Sequence, residues 1–265
     1  MKKRNLIYVT CMLIAIGACS ATSKNQAEVV TDTWGKYNVG TILFEDKAPE
    51  TKGSDVYHRI IPDAESYIKA QAREVLATLY NSPDDSIPTV NKIHYTLEDI
   101  EGVSAKGGGN GDVTIFYSTR HIEKSFAKND TAKLFFETRG VLLHELTHAY
   151  QLEPQGIGSY GTNRVFWAFI EGMADAVRVA NGGFDGPNAR PKGGNYMDGY
   201  RTAGYFFVWL RDNKDPEFLR KFNRSALEVV PWSFDGAIKH ILGNEYNIDE
   251  LWHEYQVAVG DVQAQ

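Results

Sequence analysis

Cysteine is almost missing from this chain. Two occur among 265 residues, Cys11 and Cys19, and both fall within the first twenty. The body therefore has no internal disulfide framework and no cysteine nucleophile. Positive charge is also in deficit: 28 lysines and arginines stand against 34 aspartates and glutamates, for a net charge of −6. That balance argues against nucleic acid as a partner, because a phosphate backbone selects a basic face. Beyond the first twenty residues no apolar run is long enough to cross a bilayer, and no repeat with a period of 20 to 50 residues is present. What is there is a hydrophobic content of 43%, enough for a chain of this length to bury a substantial core.

The N-terminus reads as an address. Lys2, Lys3 and Arg4 form a short basic segment, and Leu6 to Ile16 is an apolar run of signal-peptide length, too short to span a membrane. It closes on Ile16-Gly17-Ala18-Cys19, which resembles the lipobox of bacterial lipoproteins. That resemblance implies a signal peptide over 1–18, lipidation of Cys19, and a domain held at a membrane outside the cytoplasm, in the periplasm or at the cell surface. Ser20 to Thr33 is polar and aperiodic and reads as a tether. The folded domain is expected over 34–265. Cleavage would remove Lys2, Lys3 and Arg4, leaving 25 basic residues (28 less these three) against 34 acidic ones, or −9.

In the body, Tyr37 to Phe44 is rich in strand formers, and the polar stretch Glu45 to Asp55 follows it. After Asp63, apolar residues at Tyr67, Ile68, Val75, Leu76 and Leu79 keep helical spacing. Ile93, Tyr95 and Leu97 alternate with polar neighbours, as in a half-buried strand. Asp112 to Ser118 predicts a further strand after the glycine-rich segment 106–111, which reads as a flexible loop at a cleft rim. From Thr131 onward the pattern is helical, over roughly 132–152, 165–180, 197–211, 216–227, 234–242 and 247–258. Strands first and helices afterwards predict an α+β fold, with a small N-terminal mixed sheet followed by a helical C-terminal part.

His144-Glu145-Leu146-Thr147-His148 is an HExxH motif inside an apolar helical run. Residues four apart share one helix face, so two imidazoles can meet one Zn²⁺, with Glu145 placed to take a proton from water. A catalytic zinc takes three protein ligands and keeps one position open. In Ile170-Glu171-Gly172-Met173-Ala174-Asp175, Glu171 and Asp175 lie one turn apart beside apolar positions. The pair resembles the ExxxD helix of gluzincin metallopeptidases. By that resemblance Glu171 is the third ligand and Asp175 orients the first histidine; Asp175 as the ligand is the alternative. The metzincin pattern is excluded locally, since its glycine and third ligand would fall at Gln151 and Pro154.

Three ordered blocks sharpen the resemblance: His144 to Gln151 (HExTHxxQ), Ile170 to Arg178 (IEGxADxVR) and Asp198 to Ala203, with Leu251-Trp252 and Tyr255 near the end. Together they resemble the basic secretory protein family of metallopeptidases of plants and bacteria, across most of residues 35–258. The resemblance implies a zincin-like fold, one catalytic Zn²⁺ and hydrolysis of peptide or protein substrates. The chain departs from the family pattern in being acidic and in carrying Tyr150 where tryptophan is common, which reads as a packing exchange.

Peptide hydrolysis also needs a donor for the developing oxyanion. Tyr200 is the candidate, with packing beside Ala203 as the alternative; Asp198 reads as the N-cap of that helix, with a part in holding the site as the alternative. His94 falls on the polar side of a predicted strand and His240 between Lys239 and Ile241; His58, His121 and His253 lack a partner at ligand spacing and read as surface or internally satisfied histidines, His121 following the second strand closely. Asp112 to Ser118 is the candidate edge strand for pairing with an extended substrate, or else an interior strand. Two rival functions share these motifs: a binding lipoprotein that keeps a zinc scaffold without turnover, and a hydrolase acting on glycopeptides or mucin-like proteins. Retention of Glu145 favours catalysis over the first, because zinc binding alone does not require that carboxylate.

Overall fold

The computed structural model describes residues 33–263. The signal segment, Cys19 and nearly all of the tether lie outside the described residues. Along the chain the elements run β1 (Thr41–Asp46), α1 (Lys52–Ile60), α2 (Ala64–Leu79), β2 (Lys92–Glu98), β3 (Ser104–Gly109), β4 (Asp112–Ser118), α3 (Thr119–Ser125), α4 (Thr131–Tyr150), α5 (Arg164–Ala180), a 3₁₀ turn (Tyr196–Asp198), α6 (Tyr200–Asn213), α7 (Phe218–Glu228), α8 (Phe234–Leu242) and α9 (Ile248–Ala258). The architecture is mixed α+β, a four-stranded sheet followed by helices. No helix among the described residues is long and apolar enough to cross a membrane.

The sheet order is β1-β2-β4-β3, parallel for the first two pairings and antiparallel for the last. This bears on two sequence expectations. The segment read as a flexible glycine-rich loop is strand β3 as far as Gly109, and it forms a sheet edge. Glycine is a poor strand former, but an edge strand held through its backbone to β4 needs few side chains. Of the two readings of Asp112 to Ser118, edge or interior strand, the structure has the second, with β2 on one side and β3 on the other. A further revision is α1, which occupies part of the polar stretch after β1. Thr51 caps it by accepting from the Ser54 amide at 3.2 Å, and it turns Val56 and Tyr57 inward. With only two large apolar residues facing the core, its helical period is faint in the sequence. Helix α3 was likewise unmarked.

The C-terminal helices follow the expected spans within a few residues. At α6 the regular helix begins at Tyr200, after the 3₁₀ turn. Asp198 does not cap α6; its Oδ2 accepts from the Asn195 amide at 2.7 Å and closes that turn.

Two features hold the site-bearing helices in place. Tyr150, at the end of α4, is buried and donates its hydroxyl to the Val39 carbonyl at 2.7 Å, while its own carbonyl accepts from Tyr80 Oη at 2.6 Å. Helices α5 and α6 meet through small residues. A Cβ added at Gly204 would lie 2.9 Å from the Ala176 amide nitrogen and 3.0 Å from Asp175 Cβ, and one at Gly172 would lie 2.8 Å from Ala203 Cβ. This contact explains why glycine and alanine recur in both sequence blocks. Beneath it Phe169, Phe207, Phe222, Trp232 and Phe234 form an aromatic core.

Gly204→Ala tests that close approach. Overpacking costs about 1–3 kcal/mol, against about 1 kcal/mol gained from helix propensity. Because the atoms met are facing backbone, a net loss is expected, visible as a lower urea midpoint with unchanged m-value.

Candidate metal centre

Helix α4 carries His144, Glu145 and His148 on its buried side, and α5 lies across it with Glu171 and Asp175. Asp130 opens α4 by accepting from the Lys133 amide at 2.9 Å, and Asn163 opens α5 by accepting from Val165 at 2.8 Å. The 3.6-residue period brings the imidazoles edge to face, 4.7 Å between centroids, with their Nε2 atoms 3.1 Å apart. Glu171 Oε2 faces both, 3.4 Å from His144 Nε2 and 3.6 Å from His148 Nε2. One donor atom from each of the three residues lies within 4.8 Å of the others, a grouping able to hold a metal ion.

Asp175 sits behind this cluster. Its Oδ1 is 2.7 Å from His144 Nδ1, so the structure places Glu171 among the histidine Nε2 atoms and Asp175 on the opposite side of the first ring. His148 Nδ1 lies 2.8 Å from Gln151 Nε2. A histidine that offers Nε2 to a cation keeps its proton on Nδ1 and needs an acceptor there. A half-turn of the Gln151 amide supplies one, since Gln151 Oε1 is buried without a partner. Glu171 Oε2 and Glu145 Oε2 are also buried and unpartnered among the described residues.

These orphans are the test of fit. Buried polar atoms are normally satisfied. Here two imidazole nitrogens and a carboxylate oxygen converge on one point, and two nitrogens with one oxygen is the ligand set of many catalytic zinc sites. The titration behaviour agrees. Burial favours the neutral form of His144, but its bonds to Asp175 and Glu171 and the nearby Glu145 charge prevail and hold its pKa up at about 10. Burial would raise the pKa of Glu171, yet His144, His148 and Tyr160 hold it well below the usual carboxylate range. The cluster is thus built to keep a positive charge, supplied by protons when no metal is bound.

Around the cluster lies an open cleft of about 310 Å³. One wall is β3, contributing Ser104, Ala105 and Lys106; Phe166 and Ile170 give an apolar patch, and Glu153 and Tyr200 complete the rim. Tyr200 is 47% exposed, and its ring lies nearly parallel to that of His144, 6.1 Å between centroids. Its pKa is raised by burial and by Glu171, Asp175 and Glu145, so the phenol keeps its proton. Gly199 at φ +66° makes the approach possible: a Cβ there would lie 2.7 Å from the Trp167 ring and 3.4 Å from Glu171 Cβ.

Sequence reasoning missed Tyr160. Its hydroxyl donates to Glu171 Oε1 at 2.6 Å from the loop joining α4 to α5. The available signal was a tyrosine among glycines between two ligand-bearing helices. His58, His94, His121 and His240 stand away from the cluster beside Asp46, Glu45, Glu137 and Glu228 respectively.

Comparison with known proteins adds a family. The sequence profile of BSP, described as "Peptidase of plants and bacteria", matches residues 40–255. No curated protein matches the chain. Among solved structures, a Bacteroides caccae protein described as a "putative zinc-binding metallo-peptidase" is 11% identical, with 94% of this chain and 98% of that chain covered and a TM-score of 0.21.

Because His144 must lose its proton to bind a cation, Zn²⁺ added to metal-free protein at pH 7.5 should release about one proton per ion, and apparent affinity should fall as pH drops from 8 to 6. Calorimetry in buffers of differing ionisation enthalpy measures the release; none at all would contradict this electrostatic account.

Proposed function

The chain belongs to the BSP family of peptidases of plants and bacteria, and from that premise we propose that it is a zinc-dependent peptidase with a zincin-like fold, exported and tethered to the cell envelope. The observation that carries the reading is the convergence of His144 Nε2, His148 Nε2 and Glu171 Oε2 beside a buried, unpartnered Glu145 oxygen at an open cleft.

His144, His148 and Glu171 would hold the ion. Bound zinc supplies Lewis acidity, making water a nucleophile near neutral pH and polarising the carbonyl to be attacked. Glu145 is the general base: its carboxylate, which lines the cleft, takes the proton of the attacking water and then delivers it to the leaving amine. Asp175 keeps the His144 ring oriented through Nδ1. Tyr200, protonated and at the rim, donates to the carbonyl oxygen as it gains charge. An extended peptide pairs with the free edge of β3, whose Ser104, Ala105 and Lys106 line the same cleft. This assigns to β3 the substrate-pairing role first considered for Asp112 to Ser118.

The tether rests on the sequence: a basic segment, a short apolar run and Ala18-Cys19. Lipid on Cys19 would hold the domain at the membrane outside the cytoplasm, where an acidic mature surface disfavours nucleic acid and leaves protein or peptide as substrate.

Glu145→Gln tests the catalytic reading. It should retain about one zinc per chain while hydrolysis of a denatured protein substrate falls about 10²–10⁴-fold; wild-type protein that folds without binding zinc would overturn the reading. Cys19→Ser should move the protein from the membrane fraction to the soluble fraction of the exporting cell, and continued membrane association would count against the lipid anchor.

A further inference from the structure

The connection from α4 to α5 is fixed at both ends. At its start the Gln155 amide donates to the Ala226 carbonyl at 3.1 Å, and the Gln155 carbonyl accepts from Trp232 at 2.9 Å. At its finish Asn163 Nδ2 donates to the Ile157 carbonyl at 2.7 Å. Between them the tip is exposed and bonded mainly to itself: the Ser159 amide and hydroxyl both meet Thr162 Oγ1, and the Thr162 and Asn163 amides return to the Ser159 carbonyl. Gly156 and Gly158 have φ of +78° and +92°, a backbone that L side chains rarely adopt. From this tip Tyr160, 46% exposed, reaches down to the cluster.

Its hydroxyl donates to Glu171 Oε1 at 2.6 Å. A carboxylate free to rotate could present one oxygen or both to a cation. Here Oε1 is engaged in a short charge-assisted bond, and Oε2 alone points at the histidine nitrogens.

We propose that Tyr160 is a positioning residue that holds Glu171 in a one-oxygen mode toward the metal and couples the ordering of the 156–162 loop to metal occupancy. The inference rests on the reading of His144, His148 and Glu171 as the metal centre. The coupling is reciprocal: a tip pinned through Tyr160 pre-orients the carboxylate, and an ion that fixes the carboxylate gives the hydroxyl a stationary acceptor. Because much of the ring is in solvent, removing the hydroxyl takes little from the packed core, so fold and metal effects separate.

The experiment uses the full processed chain as wild type and Tyr160→Phe, with Tyr160→Leu as a second variant. Zn²⁺ affinity is measured by competition with a chromophoric chelator, the site is probed by Co²⁺ absorption, and hydrogen exchange follows residues 156–162 with and without metal. Tyr160→Phe should raise the zinc dissociation constant about tenfold, in the range seen when a partner of a metal ligand is removed. It should also weaken the visible Co²⁺ band as Glu171 turns to two-oxygen ligation and abolish the metal-dependent protection of the loop; the metal-free protein, in which the same hydroxyl bonds a buried carboxylate, should unfold at a somewhat lower temperature. An affinity and Co²⁺ spectrum equal to wild type would overturn the proposal. So would an affinity loss with an unaltered Co²⁺ spectrum, which marks a packing role. Wild-type protein that binds neither ion would instead overturn the metal-centre reading.

Discussion

Two carboxylates, Glu171 and Asp175, are each only 4% exposed and sit one turn apart on α5. Burying such a pair is costly unless positive charge meets it. The imidazoles of His144 and His148 occupy that position, and His144 is flanked by both carboxylates, Glu171 on Nε2 and Asp175 on Nδ1. Much of the helical half follows from this demand. Helix α4 must cross α5 at the HExxH turn, α5 must present its acidic stripe inward, and the elements around them must shield the contact while leaving one side open.

The shielding relies on missing side chains. Gly172 and Gly204 let α6 lie against α5 directly behind the carboxylates, and Gly199 lets the chain turn over Trp167 to set Tyr200 beside His144. Without those absences α6 would stand farther off and the rim would lose its tyrosine. On the far side, Tyr150 anchors the end of α4 to the segment before β1.

The spacing of HExxH and of Glu171 with Asp175 was legible because helical periodicity converts sequence separation directly into a shared face. The C-terminal helices were legible for the same reason. The glycine-rich strand β3 was not, because main-chain bonding to β4 leaves no mark in side-chain pattern; without β3 the sequence leaves Asp112 to Ser118 open between edge and interior, and the structure makes it interior. Helix α1 leaves a faint pattern because its inward face, Val56 and Tyr57, is small and short. Asp198 looked like a helix cap from its position, but the 3₁₀ turn ahead of α6 claims it.

The sequence by itself determined the chemical inventory: two histidines four apart, a carboxylate beside the first, two more on a second amphipathic helix, and a body without cysteine. Local periodicity suffices for that, since each group belongs to one helix. Only the tertiary structure decided how the inventory is divided. It set Glu171 among the Nε2 atoms and Asp175 on Nδ1, gave β3 the cleft edge, and brought Tyr160 from a loop onto Glu171. These assignments depend on the crossing of α4 with α5 and on main-chain pairing between strands, contacts between segments far apart along the chain that no local pattern encodes.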